Sequence, residues 1–228
     1  MISFSQLGNM GRLGNQFFQI AATIGAAKNN HQDYGLPSWP VNDYIKNPLP
    51  QTKFFDPQIT HYEKFCTYDP INFDLEEGET LRADLVGYFQ SEKYFSDSQN
   101  EIKYHLQPSE ELSSYIEEKY GSIFEETNVA SLHVRRGDYL TLRRVYASPT
   151  IEYYKKCLAE CSPERVLVFS DDISTCKEVF DRDPKFYYVS ERAHERSLIS
   201  NTHSAERDSE DFIKEDLIEL FLMSRCRF

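Results

Sequence analysis

The sequence has no run of apolar residues approaching the ~20 that a membrane-spanning helix needs. Its N-terminus lacks both the basic start and the long apolar core of a secretory signal. Five cysteines (Cys66, Cys157, Cys161, Cys176 and Cys226) include no CxxC pair, so neither a disulfide framework nor a zinc site is indicated. Basic residues are in deficit: 25 lysines and arginines face 37 acids, for a net charge of -12. That balance argues against a general binder of nucleic acid or anionic membrane, although a local basic pocket can still hold a phosphate. Two nucleotide fingerprints are missing as well, because the N-terminal glycines follow neither GxGxxG nor GxxxxGK spacing and no lysine follows them. Together these absences lead to the expectation of a soluble, cytoplasmic protein in a reducing compartment.

What is present is an apolar fraction of 40% in 228 residues, enough for a sizeable core in one large domain or two small ones. The chain is organised around VASLHVRRGDY (129–139), whose Val129, Ala130, Leu132 and Val134 read as a buried strand ending at Gly137 and Asp138. Alternation places His133 and Arg135 on one face and Val134 and Arg136 on the other. Guanidinium groups at the carboxyl end of a strand in an open α/β sheet stand where ligands bind, and each can fork onto two phosphate oxygens. A structural Arg–Asp bridge inside the loop is the competing reading.

Taken in order, ISFSQL (2–7) reads as a strand, then come Gly8, Gly11 and Gly14, then a helix over about 15–28 with a broad apolar face. A glycine loop opening a helix exposes backbone N–H groups that favour phosphate, yet such a loop is also an ordinary structural turn. Residues 31–70 are rich in proline and aromatics and predict loops and short strands, with Trp39, Tyr44, Phe54 and Phe55 as core. TLRADLVGYFQ (80–90) predicts a strand and SEKYF (91–95) a helix start capped by Ser91. Helices follow at 110–120, stopped by Gly121, at 149–161, 173–180 and 211–224, with strands at 165–169 and 186–189. The alternation means βαβ units, parallel sheets and right-handed crossovers, so HVRRGD and the Asp171–Asp172 pair fall at one carboxyl edge. Residues 190–211 are charged and aperiodic and predict a mobile loop; a metal site at its His194 and His203 is the weaker alternative.

Three stretches, GRLGNQFFQIAA (11–22), GYFQSEKYF (87–95) and HVRRGDYL (133–140), supported by VFSDD (168–172) and DLIELFLMSRC (216–226), together resemble the inverting, GDP-fucose-dependent α-1,2-fucosyltransferases. The resemblance implies a two-lobed, GT-B-like glycosyltransferase with Rossmann-type parallel sheets and the donor between the lobes. It places an N-terminal lobe at 1–125, bearing the glycine loop and the acceptor side, and a C-terminal donor-binding lobe at 126–228. Arg135 and Arg136 would stabilise the departing diphosphate, with Asp138 as a candidate base or a brace for the arginines. His133, Asp171 and Asp172 would hold the guanosine, while Gly11, Arg12 and Asn15 would face the donor. The resemblance implies no cofactor or metal, and the acceptor would be a galactose-terminated glycan. The chain lacks the serine- and tryptophan-rich motif that follows MSRC in the family. From this come the expectations of a truncated C-terminal lobe, an open sheet edge liable to self-association, and, as alternative to an active enzyme, a non-catalytic GDP-sugar or glycan-binding remnant.

Overall fold

Strands that alternate with helices must cross over one sheet face to return in parallel. The structure, a computed structural model describing residues 1–53, 55–64, 67–125, 128–136, 139–140, 149–180, 183–189 and 210–228, contains two such sheets. One lies in a unit spanning Met1–Glu110 and the other in a unit spanning Glu111–Phe228. The sequence places a lobe boundary at 125/126, whereas the helix over Glu110–Tyr120, all but its first residue, falls with the second unit.

The first unit holds β1 (Ile2–Ser3), α1 (Leu13–Asn29), β2 (Ile59–Tyr62), β3 (Ala83–Val86) and α2 (Gln99–His105). Its sheet has the order β1-β3-β2 and is parallel throughout. The strand expected over 2–7 stops at Ser3, because Ser5 donates its backbone N–H (2.8 Å) and its hydroxyl (2.6 Å) to the buried Asp84 carboxylate. Those bonds turn the chain off the ladder, although Phe4 is still fully buried. Helix α1 is enclosed on all sides from Gln19 to Ala27, more than an amphipathic surface helix requires. Gly25 shows why small residues are needed: a Cβ there would stand 2.2 Å from the Tyr94 carbonyl oxygen. The SEKYF segment forms 3-10 turns, and Ser91 does cap the first, its hydroxyl accepting from the Lys93 N–H at 3.4 Å. Trp39 is core, while Tyr44 and Phe55 are only half-buried and Phe54 lies outside the described residues.

The second unit holds α3 (Glu110–Tyr120), β4 (Val129–Val134), α4 (Ile151–Cys161), β5 (Arg165–Ser170), α5 (Ile173–Phe180), β6 (Phe186–Tyr188) and α6 (Glu210–Arg225). Its parallel sheet runs β4-β5-β6. Gly121 does not end the helical path; a 3-10 segment continues to Glu125. Leu132, Val134, Val166 and Val168 form one face of the core with Tyr154, Cys176 and Phe180. Leu167 and Phe169 point to the opposite face and are also fully buried. A strand covered on both faces needs a near-continuous apolar run, which is what RVLVF supplies. Strand β4 is at the edge of the named ladder, but its outer groups are not open at the start. Arg227 donates its N–H to the Val129 carbonyl at 2.9 Å, and Phe228 accepts from the Ser131 N–H at 2.7 Å. The expected open edge is therefore occupied there by the last two residues. The segment expected as a mobile loop lies almost wholly outside the described residues, as do His194 and His203.

Candidate functional site

Register brings the two polar clusters together. His133 pairs with Phe169 and Val134 with Ser170, so β4 and β5 end side by side and release Arg135–Arg136 and Asp171–Asp172 at one carboxyl edge. Ser170 ties the ends, its hydroxyl donating to the Val134 carbonyl (2.7 Å) and accepting from the Asp172 N–H (2.9 Å). Asp171 then receives the Arg136 backbone N–H at 2.8 Å and pairs with Arg135 Nε at 3.1 Å. The Arg135 guanidinium lies over the Tyr139 ring, 5.5 Å from its centroid. Arg136 Nε donates to Asp172 at 2.9 Å.

The two aspartates differ in what they have left to give. A carboxylate offers about four acceptor positions. On Asp172, Oδ1 accepts from the Ser174 hydroxyl (3.0 Å) and the Thr175 N–H (3.3 Å). Its Oδ2 accepts from the Thr175 hydroxyl (2.8 Å) and Arg136 Nε (2.9 Å). All four positions are engaged, and Asp172 serves as the N-cap of α5. Burial raises its pKa, but hydrogen bonds from Thr175, Arg136 and Ser174 outweigh that effect and hold the carboxyl below its ordinary value. Asp171 is engaged by one donor on each oxygen in the contacts above, which leaves acceptor capacity on both. His133 shows an exposed edge but is crowded enough that lost hydration, and then the Arg135 charge, lower its pKa against the pull of Asp171. At neutral pH it is a neutral imidazole that can donate at one nitrogen and accept at the other.

The remaining sequence-predicted residues lie in the first unit or outside the description. Gly8 (φ 86°) and Gly11 (φ 79°) supply the left-handed turns of the glycine loop. Arg12 is the N-cap residue of α1 and gives the helix no side-chain cap. Asn15 packs against Gly11, where a Cβ would meet its Nδ2 at 2.5 Å, and its Oδ1 accepts from Gln90 Nε2. Gln19 Nε2 bonds the carbonyls of Met10 (2.9 Å) and Gly87 (3.4 Å). The first two motifs, far apart in sequence, thus form one piece of structure. Asp138 lies outside the described residues.

Sequence reading missed Ser170, Thr175 and Glu63. Thr175 carried a signal, since Asp172 stands where a helix N-cap is expected and Thr175 lies three residues on, within reach of its carboxylate. Glu63 carried none, because its partners lie 25 and 26 residues away. Among the described residues no group of three or more His, Cys, Asp or Glu is placed to hold a metal ion. No helix there is long and apolar enough to cross a membrane.

The family model "Glycosyl transferase family 11" matches residues 9–203. The O-antigen biosynthesis glycosyltransferase WbnK of Escherichia coli is 26% identical over 209 residues, covering 85% of this chain and 58% of its own length. An Escherichia coli alpha-1,2-colitosyltransferase is 30% identical over 133 residues (52% and 45%). A putative galactoside 2-alpha-L-fucosyltransferase, svh-11 of Caenorhabditis elegans, is 23% identical over 203 residues (77% and 54%). The chain thus spans roughly half the length of these relatives. In fold it is similar to fucosyltransferase NodZ from Bradyrhizobium, with a TM-score of 0.61 at 13% identity over 99% of this chain and 86% of that one. NodZ alpha-1,6-fucosyltransferase soaked with GDP-fucose gives a TM-score of 0.56 at 14% identity (99% and 85%).

Proposed function

The chain belongs to glycosyl transferase family 11, and from that premise we propose that it moves L-fucose from GDP-fucose to the 2-hydroxyl of a galactose-terminated glycan with inversion. The observation that carries this reading is the Arg135–Arg136/Asp171–Asp172 corner at the ends of β4 and β5. The acceptor hydroxyl attacks the anomeric carbon opposite the nucleotide through an oxocarbenium-like state, and negative charge grows on the leaving diphosphate. Two arginines and two aspartates cancel in formal charge, so the corner serves by fixed orientation more than by net positive potential. Asp171 and Asp172 each hold an Nε–H, which sets the planes of the guanidinium groups facing the diphosphate. Asp171 and neutral His133 read the guanine edge, while Asp172 positions Arg136 and caps α5. Gly11, Arg12 and Asn15 contribute the donor contacts of the first unit, and Asp138 is the candidate base or brace.

The names of the relatives support an α-1,2 linkage but differ in the sugar, colitose in one and fucose in another. The NodZ name carries a different linkage, α-1,6. The pairing of both arginines with carboxylates favours a second reading, a non-catalytic GDP-sugar or glycan binder in which the corner only braces the strand ends. Calorimetry with GDP, ADP and UDP in the presence of chelator tests the nucleotide site, with GDP alone expected to bind. Equal affinity for the three would overturn the guanosine assignment. GDP release from GDP-fucose against a panel of galactosides separates the enzyme from the binder, since only the enzyme turns over.

A further inference from the structure

Glu63 belongs to none of the motifs that carry the family resemblance. The geometry points to it as a positioning residue whose carboxylate builds the Tyr88–Gln90 turn and, through Gln90, sets the Asn15 amide of the glycine loop. Its backbone N–H extends the β2–β3 ladder to the Val86 carbonyl at 2.9 Å. Its Oε2 accepts from two successive backbone groups, the N–H of Tyr88 at 2.7 Å and that of Phe89 at 2.9 Å. Consecutive N–H groups converging on one anionic oxygen form a small anion nest with charge-assisted bonds. The carboxylate comes so close that a Cβ on Gly87 would stand 2.4 Å from Glu63 Cβ and 2.8 Å from Oε2. Glycine at 87 is therefore required by Glu63.

The turn this creates is one a bulky residue rarely adopts, with Phe89 in the left-handed region at φ 50°. Phe89 is held there from inside as well. Its ring is fully buried against Phe4, His61 and Tyr94. With Phe89 turned inward, its neighbours Tyr88 and Gln90 face outward, and Gln90 Nε2 donates to Asn15 Oδ1. That bond commits Oδ1 as acceptor and leaves the Nδ2 side of the amide against Gly11. Glu63 thus acts on the glycine loop through two links, the backbone turn and the Gln90 side chain. The inference rests on the proposed role of Asn15 in sugar transfer.

The test uses the full chain. Hydrogen exchange of the Tyr88 and Phe89 amides should speed up roughly tenfold or more in Glu63→Ala, since two charge-assisted bonds are lost. Glu63→Gln keeps an amide oxygen in place and should retain most of the protection and most of the turnover. Glu63→Asp, one methylene short, should behave like alanine. In kinetics, Glu63→Ala and Gln90→Ala should each lower kcat, and the double variant should lose no more than the worse single one. Additive losses, or amide exchange unchanged in Glu63→Ala, would overturn the positioning role. If the wild-type chain transfers no sugar the transfer reading fails, and the exchange rates, with the Asn15 side-chain resonances in Gln90→Ala, still decide for or against Glu63.

Discussion

Each arginine of the HVRRGD segment is held at Nε by an aspartate just beyond the neighbouring strand, and that detail sets what substitutions should do. Lysine at 135 keeps a positive charge but not a planar group that an aspartate can orient. Arg135→Lys is expected to lower turnover by roughly 10²-fold or more, with circular dichroism unchanged. Asp171 and Asp172 should separate cleanly. Asp171→Asn removes the carboxylate with acceptor capacity left, so calorimetry should show the GDP preference over ADP and UDP collapsing. Asp172→Ala should cost about 1–2 kcal/mol of stability through loss of the cap, while the preference among the nucleotides it still binds persists. Collapse of preference in the Asp172 variant instead would exchange the two roles. At this scale the sequence located the polar residues that stand together beyond β4 and β5, since both strands end in polar residues after apolar runs. It could not show which arginine meets which aspartate, because their register depends on a pairing across 36 residues.

Elements were legible where the hydrophobic period is unbroken, as in 165–170 and 173–180, and less so where a side chain competes with the ladder. Ser5 ends β1 by bonding Asp84, and the Glu63 turn ends β3 at Val86; both partners are remote in sequence. Periodicity is a local signal and does not register them. Helix α1 offers a test in which two effects oppose. Gly→Ala inside a helix ordinarily stabilises by about 1 kcal/mol. At Gly25, however, the added Cβ would overlap the Tyr94 carbonyl oxygen at 2.2 Å, a backbone atom that cannot swing aside. Overpacking of this kind costs about 1–3 kcal/mol. Gly25→Ala is therefore expected to lower the urea midpoint, and a rise would show that Tyr94–Phe95 can retreat from α1.

For the molecule as a whole, three titrating groups lean the same way. His133 and His61 are lowered chiefly by lost hydration, and the net effect on Asp172 is also a lowering. Each then binds fewer protons folded than unfolded in the window between its two values. Their stabilisation is complete above the unfolded values and is lost as pH falls through the folded ones. The histidines act first, below the ordinary imidazole range, and Asp172 only in stronger acid. Urea denaturation should show a lower midpoint at pH ~5 than at neutrality. A flat profile across that interval would mean that neither imidazole is held neutral by the fold.

Sheet order in the first unit has one more consequence, for the sequence of events in assembly. Its central strand, β3, is the last of the three to leave the ribosome. Neither β1 nor β2 has a named strand neighbour until Ala83–Val86 arrives, and β1 must wait across some eighty intervening residues. In the second unit, β4 and β5 pair as consecutive strands over a much shorter crossover. Loop-closure entropy favours the shorter connection. In pulsed-exchange refolding, the pairs β2–β3 and β4–β5, each joined by a short connection (63–82 and 135–164), should gain protection before β1 does, so the strand made first is the last to dock. Protection of β1 as early as that of β2 and β3 would mean that the first sheet nucleates as one.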